Sequence, residues 1–196
     1  MTWFVVHLYV IVSEIRRRFE LLNTKFEYII RTTSSEAAAI NCLKCHDLLC
    51  GLITKVNKTF GFQIMIVDKL IALRVVETSY LCLLFAIEER TKFSVLTFVN
   101  NFIWSIDFII CGALISFSCG KTNKQAQFSL ILCQNLQNEV GNDPLKGEIL
   151  TQFAKQVVAA RPEFNCLGFL PVNYGSFLKI LGSIFNYIVI VLQFDH

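Results

Sequence analysis

Residues 93–119 read FSVLTFVNNFIWSIDFIICGALISFSC, with Asp107 as the single charged side chain. A helix needs about 20 mostly apolar residues to cross the hydrocarbon of a bilayer, and this stretch exceeds that. Two further stretches read the same way. Residues 60–87 are interrupted by Asp68, Lys69, Arg74 and Glu77, and residues 166–194 by Lys179 alone. The expected fold class is therefore all-α, a polytopic membrane helical bundle with three complete transmembrane helices. Residues 1–13 (MTWFVVHLYVIVS) are apolar but too short to span alone. No basic residue precedes them and Arg16-Arg17-Arg18 follows, the reverse of a signal peptide. They read as an N-terminal stub, the end of a span truncated at Met1.

Amphipathic segments separate these spans. In residues 14–59, Ile15, Phe19, Leu22, Phe26, Ile29 and Ile30 recur at helical spacing, and Ala37-Ala38-Ala39 continues as helix. In residues 120–165, one helix is expected over 125–138. A second is capped by Asn142-Asp143-Pro144 and runs to about residue 160, stopping before Arg161-Pro162. The first segment carries Arg16, Arg17, Arg18, Lys25, Arg31, Lys44, Lys55 and Lys58; the second carries Lys121, Lys124, Lys146, Lys155 and Arg161. The short turn between the first two spans has only Arg90 and Lys92, beside Glu88 and Glu89. The positive-inside rule places both long segments in the cytoplasm. Three spans that start inside leave Asp195-His196 on the extracellular side.

Composition agrees with lipid as a solvent. Of 196 residues, 54% are hydrophobic and 17% charged, against roughly 25% charged in a soluble domain. A net charge of +3 with no basic stripe argues against nucleic acid as a partner. The eight cysteines are scattered, with no secreted disulfide framework.

Several local signals dissolve on inspection. Cys42-Leu43-Lys44-Cys45-His46 matches a haem-attachment pattern, and Cys50 adds a possible zinc ligand. All four candidates are expected on one helix stripe, which cannot wrap a tetrahedral ion, so the reading is a packing face of small thiols. No metal and no cofactor are expected. Gly120-Lys121-Thr122 lacks the glycine that a phosphate loop needs at position 115, where Ile115 stands. Asn57-Lys58-Thr59 is a glycosylation sequon on the cytoplasmic side, where it should go unused. No nucleophile–base pair survives, so an enzyme is not expected.

Polar groups within spans are costly and point to function. Arg74 and Glu77 are three apart and can pair on one face. Together with Asp107 they read either as paired charges or as a water-filled cavity or subunit contact. In the last span, residues 186–194 read NYIVIVLQF. Several copies of this helix around an axis would place Ile190 as a constriction that gates by dewetting, and Gln193 as a ring of amides replacing hydration water. Equally, Gln193 could hydrogen-bond across one helix pair.

Asn186-Tyr187, five apolar residues and Gln193-Phe194 resemble the signature of the insect gustatory receptor family, which is Thr-Tyr, five apolar residues and Gln-Phe, with Asn in place of Thr here. Cys166-Leu167-Gly168-Phe169, Val172-Asn173, Gly182, His46 with Leu49, and Asn57 before Phe60-Gly61 resemble further family features. The resemblance covers the whole chain, from the end of the fourth span through the seventh. It implies a seven-helix, tetrameric, ligand-gated, non-selective cation channel of the plasma membrane, with the C-terminus outside. It implies Ile190, Gln193 and Asp195 as pore-lining, with Asp195 near the outer mouth. The cytoplasmic helices would form the anchor between subunits. Tyr80, Phe85, Phe98 and Trp104 become candidates for one wall of a tastant pocket, against lipid or core contact. The partners implied are a small-molecule tastant, membrane lipid and further receptor subunits in a homo- or hetero-tetramer. Two alternatives stand beside the channel: a truncated non-conducting accessory subunit or pseudogene product, and an unrelated membrane scaffold or transporter fragment.

Overall fold

The computed structural model describes residues 2–33, 35–87, 95–140, 143–160 and 162–194, with side chains except at 33, 82–87, 191, 192 and 194. The chain runs α1 (Thr2–Tyr28), a π-helical turn (Ile29–Thr33), α2 (Glu36–Ile87), α3 (Val95–Val140), α4 (Pro144–Ala160), a hairpin of β1 (Asn165–Cys166) and β2 (Leu170–Pro171), and α5 (Tyr174–Phe194). All-α is the architecture apart from that hairpin, which the sequence reading did not foresee.

The helices are longer than the apolar stretches they contain. α2 has 52 residues and α3 has 46, roughly 78 and 69 Å at 1.5 Å per residue, against about 30 Å of hydrocarbon. The expected helix over 125–138 is thus the continuation of α3. α2 likewise joins the segment from Glu36 onward to the apolar stretch at 60–87 without a break. No proline lies within either helix, so nothing stops the backbone where the sequence turns polar. Among the described residues one helix, α3, is long and apolar enough to cross a membrane, with a shorter apolar stretch at Tyr174–Ile190. Three complete spans were expected. Of the expected last span, residues 166–173 lie in and after the hairpin, and the helix itself is the 21 residues of α5.

α1 buries Val5, Leu8, Val12, Ile15, Phe19, Leu22 and Phe26, alternating three and four residues apart. α3 answers with Ile115, Cys119, Thr122, Ala126, Ser129, Cys133 and Leu136 at the same alternation. Matched heptad faces pack as a coiled-coil-like seam. Thr122 donates to the Val12 carbonyl (3.3 Å), Asn23 donates to the Gln125 carbonyl (3.2 Å), and Arg31 meets Glu139 (3.1 Å). Partner numbers rise together, so α1 and α3 are parallel. Phe4 against Phe60 and Phe19 against His46 show that α2 runs antiparallel to α1.

α4 closes the lower bundle. Asp143 caps it, its carboxylate accepting from the amides of Leu145 (3.2 Å) and Lys146 (3.4 Å), with Pro144 in the first turn. Phe153 then packs on Phe26 and edge-on to His46. His46 is fully buried between Phe19 and Phe153, with the Cys50 sulfur 3.6 Å from Nδ1. The four residues of the Cys-His cluster do not share a stripe, since Cys45 is exposed while Cys42, His46 and Cys50 are buried. Burial, and then Asp47, push the Cys50 thiol up to about 12, which keeps it protonated.

Burial lowers the His46 pKa from 6.5 to about 4, with Asp47 opposing weakly. A histidine held neutral in this way stabilises the fold fully above pH 6.5 and loses that contribution as pH falls toward 4. Thermal unfolding of the purified protein should lose up to about 3 kcal/mol from this site across that window. His46→Leu should flatten the difference, and an unchanged pH profile in the variant would contradict the assignment.

Candidate functional site

The site is α5 and the socket that seats it. α5 starts where Asn173 caps it, the side-chain oxygen accepting from the Ser176 amide at 2.9 Å. Phe177 and Ile184 are buried and Leu181 and Ile188 half-buried, one face of the helix at helical spacing. Gly112 of α3 makes room for this face. A methyl there would stand 2.9 Å from Phe177 Cε2 and closer still to Ile71 Cδ1 of α2. The absent side chain lets three helices converge.

The opposite face is uncovered. Lys179, Asn186, Ile190 and Gln193 are exposed and fall on one stripe, successively seven, four and three residues apart around the same side. The structure thus places the expected pair Ile190 and Gln193 together, with Asn186 a turn below. Tyr187 is exposed beside the stripe. Asp195 lies outside the described residues, as do the side chains of Phe194 and Phe85.

Ahead of α5, the chain that leaves α4 folds into the hairpin. Phe164 and Cys166 are buried, and the Val172 amide donates to the Phe164 carbonyl at 2.8 Å. Two asparagines bracket it. Asn57 of α2 donates to the Glu163 carbonyl (2.8 Å) and accepts from the Asn165 amide (3.1 Å). Asn123 of α3 accepts from the Phe164 amide at 3.2 Å. Asn57 therefore serves as a side-chain bracket for backbone groups that have no helical partner. Gly61 continues the contact, since a methyl on it would meet the Leu167 nitrogen at 3.0 Å.

Above the hairpin, a cavity of about 400 Å³ lies between α2, α3 and α5, lined by Asp68, Ser116, Phe177, Lys179 and Ser183 among others. Further along, Thr78 and Ser105 share a short hydrogen bond between α2 and α3. Arg74 and Glu77 pair at 2.9 Å on α2, as their spacing predicts. Of the candidate pocket residues, Phe98 stacks on Phe102 of its own helix, while Tyr80 and Trp104 are exposed on different helices. Asn123, which the sequence reading passed over, and Asn173 carry a legible signal only in hindsight: a polar amide beside the boundary of an apolar run.

Asn57→Ala should leave the Glu163 carbonyl and the Asn165 amide without partners, at about 1–3 kcal/mol. Hydrogen exchange over residues 163–173 should accelerate while α1 and the lower part of α3 keep their protection. Unchanged exchange in the hairpin would refute the bracket.

The family described as 7tm Chemosensory receptor matches residues 1–196. Among relatives, gustatory receptor 28b of Drosophila melanogaster is 24% identical over 188 residues, 93% of this chain and 40% of that protein. Gustatory and pheromone receptor 39a, isoform C, of the same organism is 27% identical over 158 residues, 78% of this chain and 39% of that protein. The chain thus spans about two-fifths of the length of these relatives. With the match running from its first residue to its last, this chain belongs to the 7tm chemosensory receptor family.

Proposed function

We propose that this chain supplies the last spans of a gustatory receptor that works as a ligand-gated, non-selective cation channel of the plasma membrane. Four subunits, identical or mixed, stand around an axis, with the C-terminus outside and a small-molecule tastant as ligand. The observation that carries this reading is the two-sidedness of α5. One face is filled by its own chain, and the other presents Asn186, Ile190 and Gln193 to whatever stands across the axis. In a ring of four, Ile190 forms the apolar constriction and Gln193 the amide ring above it. Asp195 would add carboxylates at the outer mouth. The span at 60–87 and the last helix cross the bilayer beside α3, and the lower ends of α1, α2 and α3 join α4 in the cytoplasm. Tyr80, Phe85, Phe98 and Trp104 remain proposed for the wall of the tastant pocket.

Family membership removes the unrelated scaffold or transporter reading. One observation favours a second reading, the non-conducting accessory subunit. Lys179 shares the stripe with Ile190 and Gln193, and four ammonium groups around an axis would oppose cations.

Current recordings separate the two. In cells expressing the protein with candidate partner subunits, a thiol reagent applied from outside should block ligand-evoked current of Gln193→Cys and spare the parent. Ile190→Asn should raise ligand-independent current roughly tenfold by wetting the constriction. Indifference of both variants would remove α5 from the pore. A silent parent that Lys179→Gln renders conducting would establish the accessory reading instead.

A further inference from the structure

The hairpin tip is apolar, exposed and held in a costly conformation. Leu167 (φ 54°) and Gly168 (φ 81°) are both left-handed, a conformation that tight hairpins usually assign to asparagine or glycine. The turn is closed by the Phe169 amide on the Cys166 carbonyl (3.0 Å) and by the Gly168 amide on the Asn165 side chain (2.7 Å). It presents Leu167, Phe169 and Leu170 at 44, 85 and 51% exposure. Phe169 is among the most exposed large apolar side chains described, and it comes from an element whose base is fully packed.

The level at which this tip stands is set by its partners. The bonds to Asn57 and Asn123 and the approach to Gly61 hold the hairpin where the apolar run of α2 begins at Phe60 and that of α3 ends at Cys119. α5 starts at the same level, at Tyr174. Cations flank the hairpin there. Lys58 lines a cavity of about 560 Å³ with Asn57, Asn165, Leu167 and Gly168. Lys121 and Lys124 line another of about 540 Å³ with Asn173 and Tyr174. The carboxylate residue Glu163 lines both, leaving three ammonium groups against one acid. Apolar side chains beside lysines at the edge of an apolar band match the cytoplasmic leaflet, whose headgroups are anionic and whose acyl boundary accepts Phe and Leu.

We infer that the tip Leu167–Leu170 inserts into the headgroup region of the inner leaflet, with Lys58, Lys121 and Lys124 holding anionic lipid headgroups on either side of it. The inference rests on the proposed spanning arrangement. It assigns the strained turn a use: the conformation that costs backbone energy is the one that points three apolar side chains at lipid.

Photo-crosslinking tests it. The protein carrying Phe169→p-benzoylphenylalanine, and separately Leu170→p-benzoylphenylalanine, is reconstituted in nanodiscs of equal phosphatidylserine and phosphatidylcholine, irradiated and digested. Ile110→p-benzoylphenylalanine, on the exposed side of α3, reports the span. Lipid adducts are expected at all three positions. At 169 and 170, phosphatidylserine adducts should exceed phosphatidylcholine adducts by about threefold or more and fall to parity in K58Q/K121Q/K124Q. Lipid at Ile110 with only protein adducts at 169 and 170 overturns the inference and leaves the spanning arrangement standing. No lipid at Ile110 sinks the spanning arrangement and the inference with it. Equal labelling of the two lipids in the parent chain overturns the assignment of the lysines.

Discussion

A helix that satisfies every backbone group internally can pass from hydrocarbon into water without a break, and the architecture follows from that freedom. α2 and α3 pass between polar and apolar sequence near Phe60 and Cys119 as continuous rods. The third connection cannot do so. Pro162 and Pro171 bracket the non-helical chain between α4 and α5, whose amides and carbonyls lose their helical partners there. Asn57 and Asn123, one from each continuous helix, supply what the hairpin's own two-rung ladder does not. The seat of α5 depends on these brackets, since Val172 is tied to Phe164 and Asn173 caps the helix directly after them.

The parts of this design that rest on periodicity were legible in the sequence. The helical spacing of Ile15, Phe19, Leu22 and Phe26 in α1, the cap at Asp143 and the stop before Pro162 all followed from spacing and residue type. So did the Arg74–Glu77 pair, since both partners lie within one turn of a single helix. Lengths and junctions were not legible. Reading residues 120–124 as a break mistook a change of polarity for a change of backbone, because Gly120 and Lys121 lie inside an unbroken helix. The hairpin escaped because its strands are two residues each and their burial comes from other helices, so no alternating pattern marks them.

The candidate site was legible in its motif and not in its setting. Ile190 and Gln193 stood out one turn apart and Asn186 as part of the family signature, and a helix one side of which is filled leaves them on the other. Which residues fill that side required distances: Gly112 reads as an ordinary glycine until Ile71 and Phe177 are found converging on it. Tyr80 and Trp104 are exposed on different helices, α2 and α3, which meet through the Thr78–Ser105 bond.

The seating of α5 also constrains how it can move. Its N-terminal end is fixed by the Asn173 cap, the Val172 bond and Phe177 wedged at Gly112. Beyond Ile184, its described side chains are half-buried or exposed. A rigid rod held at one end tilts about that end, so displacement grows along the helix toward Ile190 and Gln193. The cavity between Asp68 and Lys179 lies against the first turns, where such a tilt changes least, and the stripe that would meet other subunits lies where it changes most. Asymmetric packing of this kind lets a small change at the wall of the bundle become a larger one at the far end of the helix. A helix packed equally along its length would resist that motion everywhere.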